Sequence, residues 1–203
     1  MPGFSTKFKR FQLLKLAQNI FFKFRPIFNF LLIFILTFLV FSVVYDLYLH
    51  RFEDKTDGMS AYVGRQAASL LIVMGFDAFA TDMHADKSTH VGIDGFARVK
   101  VIEGCNGLSV MILFVAFLLG FPGKLKSMAW FLPAGLLVIH FFNILRVAML
   151  GWAVYRFGET GYYIYKELFT ASIYLLVLTL WFLWVQKYGS FNKVNVCNGN
   201  EGP

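Results

Sequence analysis

The amino-acid sequence predicts an all-α polytopic membrane protein with about four transmembrane helices, an interfacial or partly inserted helix and a small extracytoplasmic β-hairpin. Hydrophobic residues make up 58% of the 203 residues, whereas soluble domains contain about 45–50%. The excess lies in long apolar runs, and a helix needs roughly 20 apolar residues to cross a bilayer. No stretch rich in Pro, Gly or Ser divides the chain, so we expect one membrane domain over residues 26–186.

The apolar runs define the expected helices. Four segments are long enough, or nearly long enough, to span a membrane, and they cover residues 26–45, 107–121, 128–150 and 168–185. The first is too long for the apolar core of a signal peptide, and no small-x-small cleavage site follows it, so we expect a retained anchor. A fifth run, residues 61–76, carries three polar residues in its first half, which favours an interfacial or partly inserted helix over a full span.

Basic residues indicate the orientation of the spans. Six of them precede the first span with no acidic residue among them, namely Lys7, Lys9, Arg10, Lys15, Lys23 and Arg25. Positive residues flank spans on the cytoplasmic side, so we expect a cytoplasmic N-terminal segment (residues 1–25) and a polar cytoplasmic tail (residues 187–203). A basic tail could also bind nucleic acid, but a span follows this one directly, and no nucleic-acid partner is expected.

The long segment between the first and second spans is expected to lie outside the cytoplasm as an acidic loop over residues 46–104. Within it, residues 91–101 alternate around an Asp-Gly pair, a pattern typical of a β-hairpin. A second outer loop is expected over residues 155–167. Both loops are expected on the outer side of the membrane, where the polar residues described next are expected to meet.

Cys105 is the most informative residue, in the sequence Glu103-Gly104-Cys105-Asn106-Gly107-Leu108, where a polar loop becomes an apolar run. The N-terminus of a helix and a nearby cation both favour the reactive thiolate. The alternative is a small buried residue in a helix-packing Gly-x-x-Gly stretch. Composition alone leaves both interpretations open.

Arg146 is expected near the outer end of the third span, because a helix rises about 1.5 Å per residue and residue 146 lies about 27 Å above residue 128. It therefore falls in the same membrane layer as Cys105. Asn143 and His140 continue a polar stripe one and two turns deeper on the same helix. Arg146 could instead be an anchor that reaches the lipid headgroups, and His140 could be a structural contact to a neighbouring helix.

Other kinds of site have little support in the sequence. The second cysteine, Cys197, lies in the polar tail, so no structural disulfide is expected. The spacing of the four histidines makes no metal site, and there is no Gly-x-Ser-x-Gly, phosphate-loop or dinucleotide-binding motif. We therefore expect no metal and no cofactor.

The two motifs, Glu-Gly-Cys-Asn-Gly-Leu at 103–108 and Asn-Ile-Leu-Arg at 143–146, together with their order along the spans, resemble the exosortase/archaeosortase family. The resemblance covers roughly residues 60–186, and the small size is similar to the compact Bacteroidetes-type members. It implies a membrane-embedded cysteine transpeptidase or protease. Such an enzyme recognises an exported protein by a C-terminal transmembrane sorting signal and passes it to an envelope acceptor, a lipid or a polysaccharide.

By this resemblance Cys105 corresponds to the nucleophile and Arg146 to the essential arginine. Glu103, Asn106, Gly107, Asn143 and His140 then become candidate substrate-binding or supporting residues. The family's third residue, usually a histidine before the last span, corresponds to Tyr165, a weak base because a phenol has a pKa of about 10.

Three ways of completing the site remain open. The thiolate could rely on Arg146 and the helix terminus, with Tyr165 donating a hydrogen bond to an oxyanion, or another group could substitute for the family histidine, such as Lys166 or the outer histidines His84 and His90. The third possibility is a catalytically impaired binding or assembly protein. The sequence leaves the substrate, the acceptor and the oligomeric state open.

Overall fold

The computed structural model describes residues 3–52, 55–95, 97–121 and 123–188. The expected C-terminal tail, including Cys197, lies outside the described residues beyond residue 188. The chain begins with a long helix α1 (Gly3–His50), continues through a shorter helix α2 (Gly58–Val73) and three strands, and ends in three further helices. The N-terminal basic segment is thus part of the first helix.

Three helices are long and apolar enough to cross a membrane, over Phe24–His50, Leu125–Gly158 and Tyr162–Tyr188. Helix α3 (Leu108–Gly120) is a shorter apolar helix that lies between the first and second of them along the chain. Their large exposed side chains are predominantly apolar, as expected where lipid replaces water as the solvent. The chain is therefore a multi-pass membrane protein.

The last two helices form a sharp antiparallel hairpin. Residues Leu125–Tyr188 make one hydrogen-bonded helical stretch that is interrupted at Gly158, and the two arms are called α4 (Leu125–Gly158) and α5 (Tyr162–Tyr188). Gly158 has φ 64° and ψ −149°, a backbone conformation that is essentially restricted to glycine. The expected loop over residues 155–167 was wrong, because the chain reverses at this one residue and stays helical on both sides.

The β-structure is a three-stranded antiparallel sheet rather than a simple hairpin. Strands β1 (Ala78–Met83), β2 (Ser88–Ile93) and β3 (Ala97–Val101) lie in the order β1-β2-β3. The expected pairing is present between β2 and β3, where Ile93 faces Ala97 across the Asp94-Gly95 turn. Strand β1 was missed, and it pairs with β2 along the strand's whole length.

Helix α2 packs the sheet against the bundle. Its N-cap is Asp57, whose carboxylate accepts the backbone N–H groups of Met59 and Ser60 at 3.0 and 2.9 Å. Its buried face repeats at helical spacing through Ala61, Val63, Gly64, Ala67, Ala68 and Leu71. Helix α2 contacts all three strands and α4, and at 16 residues it is not among the candidate spans.

The buried side chains form two clusters at opposite ends of the bundle. The first, here called the cap cluster, joins α2, the sheet and α4 through residues such as Leu71, Val91, Val101 and Val147. The second, called the base cluster, joins α3, α4 and α5 through Phe114, Leu118, Phe131, Ile139, Val177 and Trp184. Cys105 packs against the cap cluster, so the candidate site lies at the sheet-bearing end of the helices.

Candidate functional site

Cys105 lies in the short connection between strand β3 and helix α3. The residues Glu103–Cys105 form one turn of 3₁₀-helix, and the Cys105 N–H donates to the Ile102 carbonyl at 2.7 Å. The Cys105 carbonyl accepts a hydrogen bond from Asn143 Nδ2 at 3.0 Å. The thiol is half-buried, and Cys105 is a free cysteine among the described residues. Its backbone is thus held by both its own turn and helix α4.

Asn106 fixes the same turn to three helices. It is fully buried, and its Nδ2 lies 2.9 Å from the Tyr45 hydroxyl on α1 and 3.5 Å from Ser60 Oγ on α2. Its Oδ1 accepts the N–H of Leu108, the first residue of α3, at 3.0 Å. The Tyr45 hydroxyl in turn donates to the Glu103 carbonyl at 3.2 Å. The residue after the thiol therefore has an architectural role.

Gly107 allows Asn143 to come close to the turn. Gly107 has φ +84°, and a Cβ placed there would lie 3.0 Å from both Cγ and Nδ2 of Asn143. A side chain at this position would be strained by its backbone and would press on the amide that holds Cys105. The Asn143 side chain is fully buried, and its Oδ1 has no hydrogen-bond partner among the described residues.

Arg146 is held between the two arms of the α4–α5 hairpin. Its Nη2 donates to Thr170 Oγ1 at 3.0 Å, and the Thr170 hydroxyl donates to the Lys166 carbonyl at 2.7 Å. Arg146 precedes Gly158 by twelve residues and Thr170 follows it by twelve, so the sharp reversal brings them side by side. Among the described residues Arg146 has no carboxylate partner within ion-pair distance.

Cys105 and Arg146 line the same small pocket, which has a volume of about 30 Å³. Strand β3 contributes one wall, α4 the second and the first turns of α5 the third. The lining consists of Val99, Lys100, Val101, Cys105, Arg146, Val147, Leu150, Tyr162 and Lys166. It contains three cationic side chains and no carboxylate. One pocket thus brings together a thiol and three basic side chains.

Lys100 is the one pocket cation with a carboxylate partner in the described part of the chain. Its Nζ donates to Asp86 Oδ2 at 2.6 Å, and Asp86 also accepts from the Ser88 hydroxyl at 2.7 Å. These two hydrogen bonds hold the pKa of the Asp86 carboxyl well below its usual range. His90 Nε2 lies 3.1 Å from the same Oδ2. Two pocket cations, Arg146 and Lys166, are left without a counter-ion among the described residues.

The family model of transmembrane exosortases matches residues 22–183. The chain belongs to the exosortase family. No curated protein and no solved structure matches it. Membership in this family indicates a membrane transpeptidase-type function, and the match begins within α1 and ends within α5, so it includes every residue that lines the pocket.

The remaining predicted site residues are not all at the pocket. Tyr165 is absent from the lining, and its ring stacks between Phe157 and Phe169 at centroid distances of 5.7 Å each. The Glu103 side chain is exposed, and its contribution here is its backbone carbonyl. Deeper along α4, His140 is a structural contact. Its Nε2 lies 2.9 Å from Gln66 Oε1, and its ring stacks on a tyrosine of α2.

His90, one of the two outer histidines, is absent from the pocket lining. It is buried in β2 and faces Asp86. The His84 side chain lies outside the described residues. Within the described part of the chain, no group of three or more His, Cys, Asp or Glu side chains comes together to hold a metal ion.

Several residues of the site carried no signal in the sequence. Tyr45 and Ser60 hold Asn106 from separate helices, and Thr170 holds Arg146 from the last one. A tyrosine, a serine and a threonine are common at the ends of apolar helices. Thr170 and Arg146 are each twelve residues from Gly158, and this equal spacing could have paired them. The spacing becomes informative only once the position of the chain reversal is known.

Proposed function

We propose that this exosortase-family chain is a cysteine transpeptidase or protease embedded in the bacterial inner membrane. It cleaves the C-terminal sorting signal of exported proteins and transfers them to an envelope acceptor, a lipid or a polysaccharide. The observation that carries the proposal is that Cys105 and Arg146 line one pocket at the sheet-bearing end of the helices.

The chemistry follows from these two side chains. The Cys105 thiolate attacks the carbonyl carbon of the scissile peptide bond, and the resulting tetrahedral oxyanion collapses to a thioester. Arg146 stabilises the thiolate or the oxyanion, a task for which a positioned cation in a site partly shielded from water is effective. Thr170 supports this role because it fixes one guanidinium nitrogen at 3.0 Å.

The orientation of the site follows from the charges. Lys124 and Lys126 lie at the start of α4, at the end of the bundle opposite the sheet. The basic residues that precede the first apolar run lie at the start of α1. Since basic residues favour the cytoplasmic side, both described ends of the chain face the cytoplasm and the pocket faces the periplasm. A substrate that carries a C-terminal transmembrane helix would then present its cleavage site at the depth of Cys105.

The test compares exported proteins from cells that carry the wild-type chain or its Cys105→Ala variant. We expect one or more exported proteins to keep their C-terminal apolar segment in the variant, as detected by mass spectrometry of C-terminal peptides. The control is Cys197→Ala, which we expect to process like the wild type. Processing that is unchanged in Cys105→Ala cells would refute the proposal.

A second variant pair tests the arginine. Thr170→Val removes the hydroxyl that holds Arg146, and we expect it to slow processing by about tenfold, because a hydrogen bond to a charged group contributes about 1.5–3 kcal/mol. Thr179→Val is the matched control. The Thr179 hydroxyl also bonds a carbonyl one turn back on α5, that of Leu175, but it holds no residue of the pocket. Equal rates for the two variants would contradict the role of Thr170.

A binding or assembly protein without turnover is the second candidate, and it is favoured by the position of Tyr165 outside the pocket lining. It predicts that an envelope protein co-purifies with the chain, that this association survives Cys105→Ala, and that no processed product appears in wild-type cells. A hydroxylamine-sensitive adduct on Cys105 in acid-quenched wild-type membranes would exclude it.

A further inference from the structure

We propose that Lys166 is the residue that transfers protons in this pocket, and that Tyr162 positions it; the inference rests on the proposed transpeptidase function. Both residues line the pocket with Cys105 and Arg146. Tyr162, Lys166 and Thr170 are spaced by four residues along α5, so they share one face of that helix. This face supplies the third wall of the pocket and the hydroxyl that holds Arg146.

Cleavage of a peptide bond requires a proton donor. As the C–N bond of the tetrahedral intermediate breaks, its electron pair goes to nitrogen, and the leaving amine must take up a proton. Arg146 is unsuited to this step because a guanidinium does not lose its proton in proteins. A lysine ammonium can both give and regain one.

The other candidates for this step are engaged elsewhere or absent from the lining. Lys100 is engaged in an ion pair with Asp86, to which it donates at 2.6 Å. The Tyr165 ring is stacked between two phenylalanines, and His90 faces Asp86 within the sheet. Lys166, by contrast, has no carboxylate partner among the described residues.

Tyr162 provides the support for Lys166. The Lys166 Nζ lies 5.5 Å from the centroid of the Tyr162 ring, a distance at which an aromatic face attracts a cation. The ring contact keeps the ammonium at the pocket wall without taking its proton. The aromatic ring, not the phenol hydroxyl, therefore gives the positioning effect.

The proton balance closes over one turnover. The Lys166 ammonium gives its proton to the leaving amine, and Cys105 holds the substrate as a thioester. An O–H or N–H group of the acceptor then attacks the thioester carbonyl, the released proton returns to the Lys166 amine, and the Cys105 thiolate leaves. One peptide bond is exchanged for an ester or amide bond, with no net change in protonation or oxidation state of the enzyme.

The experiment measures the rate of Cys105-dependent processing of exported proteins by pulse–chase in cells carrying Lys166→Arg, Lys166→Ala, Tyr162→Leu or Tyr165→Phe. Lys166→Arg keeps the positive charge but cannot release a proton, and we expect it and Lys166→Ala to be slower by about 10²-fold or more. Tyr162→Leu removes the ring that holds Lys166 and should be slower than the wild type, whereas Tyr165→Phe changes a residue outside the pocket lining and should process at close to the wild-type rate.

Chemical rescue separates proton transfer from structure. Propylamine added to Lys166→Ala membranes should restore part of the rate and give a product with the wild-type mass, whereas it should not rescue Lys166→Arg, in which the guanidinium fills the space. Failure to rescue Lys166→Ala in a correctly folded variant would overturn the assignment. A product that carries propylamide would show amine attack on the thioester rather than proton transfer, and would overturn it as well.

The remaining outcomes are also decisive. Wild-type processing by Lys166→Arg would overturn the inference, and wild-type processing by Tyr162→Leu would overturn the positioning role of the ring. Loss of processing in Tyr165→Phe would transfer the role to that phenol. The failure of the proposed function is a different result, because Cys105→Ala would then process normally. An inactive Cys105→Ala combined with a fully active Lys166→Arg would refute only the role of Lys166.

Discussion

The substitution Gly107→Ala should destabilise the protein by about 2–3 kcal/mol. At φ +84° a residue with a Cβ atom occupies the left-handed region at a cost of roughly 1–2 kcal/mol. The new methyl would also lie 3.0 Å from Cγ and Nδ2 of Asn143. If Asn143 shifts, its hydrogen bond to the Cys105 carbonyl weakens, which adds about 1 kcal/mol. A loss of about 2 kcal/mol lowers the folding equilibrium constant by a factor of about 30.

The assay is unfolding by SDS in mixed micelles, with Gly104→Ala as the matched control three residues away. A Cβ at Gly104 would have no heavy atom within 4 Å and Gly104 has no positive φ, so we expect a change within about 0.5 kcal/mol. A double-mutant cycle then separates the two causes. In an Asn143→Ala background the crowding disappears, and Gly107→Ala should cost only its backbone strain.

The result that would refute this reasoning is equal stability of the Gly107→Ala and Gly104→Ala variants. If Gly107→Ala lowers the free energy of unfolding by the same amount in the Asn143→Ala background, the contribution from backbone strain would still stand. That result would, however, show that the asparagine is not pressed by the new methyl, and the mechanical link from this glycine to the thiol would then be lost.

Three further outcomes are expected. Gly158→Ala should lower the free energy of unfolding by about 1–3 kcal/mol through backbone strain. No steric clash adds to this cost, because a Cβ there meets no atom within 4 Å. The control Gly151→Ala, whose Cβ makes an ordinary 3.5 Å contact, should be nearly neutral. The lysine and serine partners of Asp86 lower its pKa, so its stabilising contribution is complete above the unfolded-state pKa of about 3.9 and is lost as the pH falls through the folded-state value. Hydrogen-exchange protection of β2 and β3 should therefore be constant from about pH 8 to 5 and decline in stronger acid. Asp86→Asn should remove this acid-dependent part. Asn106→Ala should cost about 2–3 kcal/mol in the SDS titration, because two hydrogen bonds of a buried side chain are lost; stability equal to the wild type would show that the amide does not hold the turn.

The shared depth of Cys105 and Arg146 could be predicted, because the depth of a residue in a membrane-spanning helix follows from its distance along the chain from the end of that helix. A fixed helical rise places Arg146 far along its span, and Cys105 marks the start of another. Equal depth is the main condition for the two residues to line one pocket, as they do. The Asp94-Gly95 turn was equally accessible, since its residues tolerate the positive φ values that the turn uses.

What could not be predicted is the rotational phase of the last helix. Successive residues on a helix are separated by about 100°, so the choice between Tyr165 and Lys166 depends on where α5 begins and how it docks. A loop was expected over residues 155–167, but the reversal is concentrated at Gly158, and the face presented to the pocket is that of Tyr162 and Lys166. The first strand was missed for a different reason. Its sequence, Ala-Phe-Ala-Thr-Asp-Met, does not alternate between apolar and polar residues, so the pattern that indicates a half-buried strand is absent.

The buried amide of Asn106 also limits how the protein can be dissected genetically. A mutational scan scored by product formation would rank this asparagine with its neighbour Cys105, although one anchors three helices and the other offers a sulfur atom. Sensitivity at a motif position is therefore no guide to chemistry here. Only a screen that measures the amount of folded protein separately from its activity would distinguish the structural role of Asn106 from the proposed chemical role of Cys105.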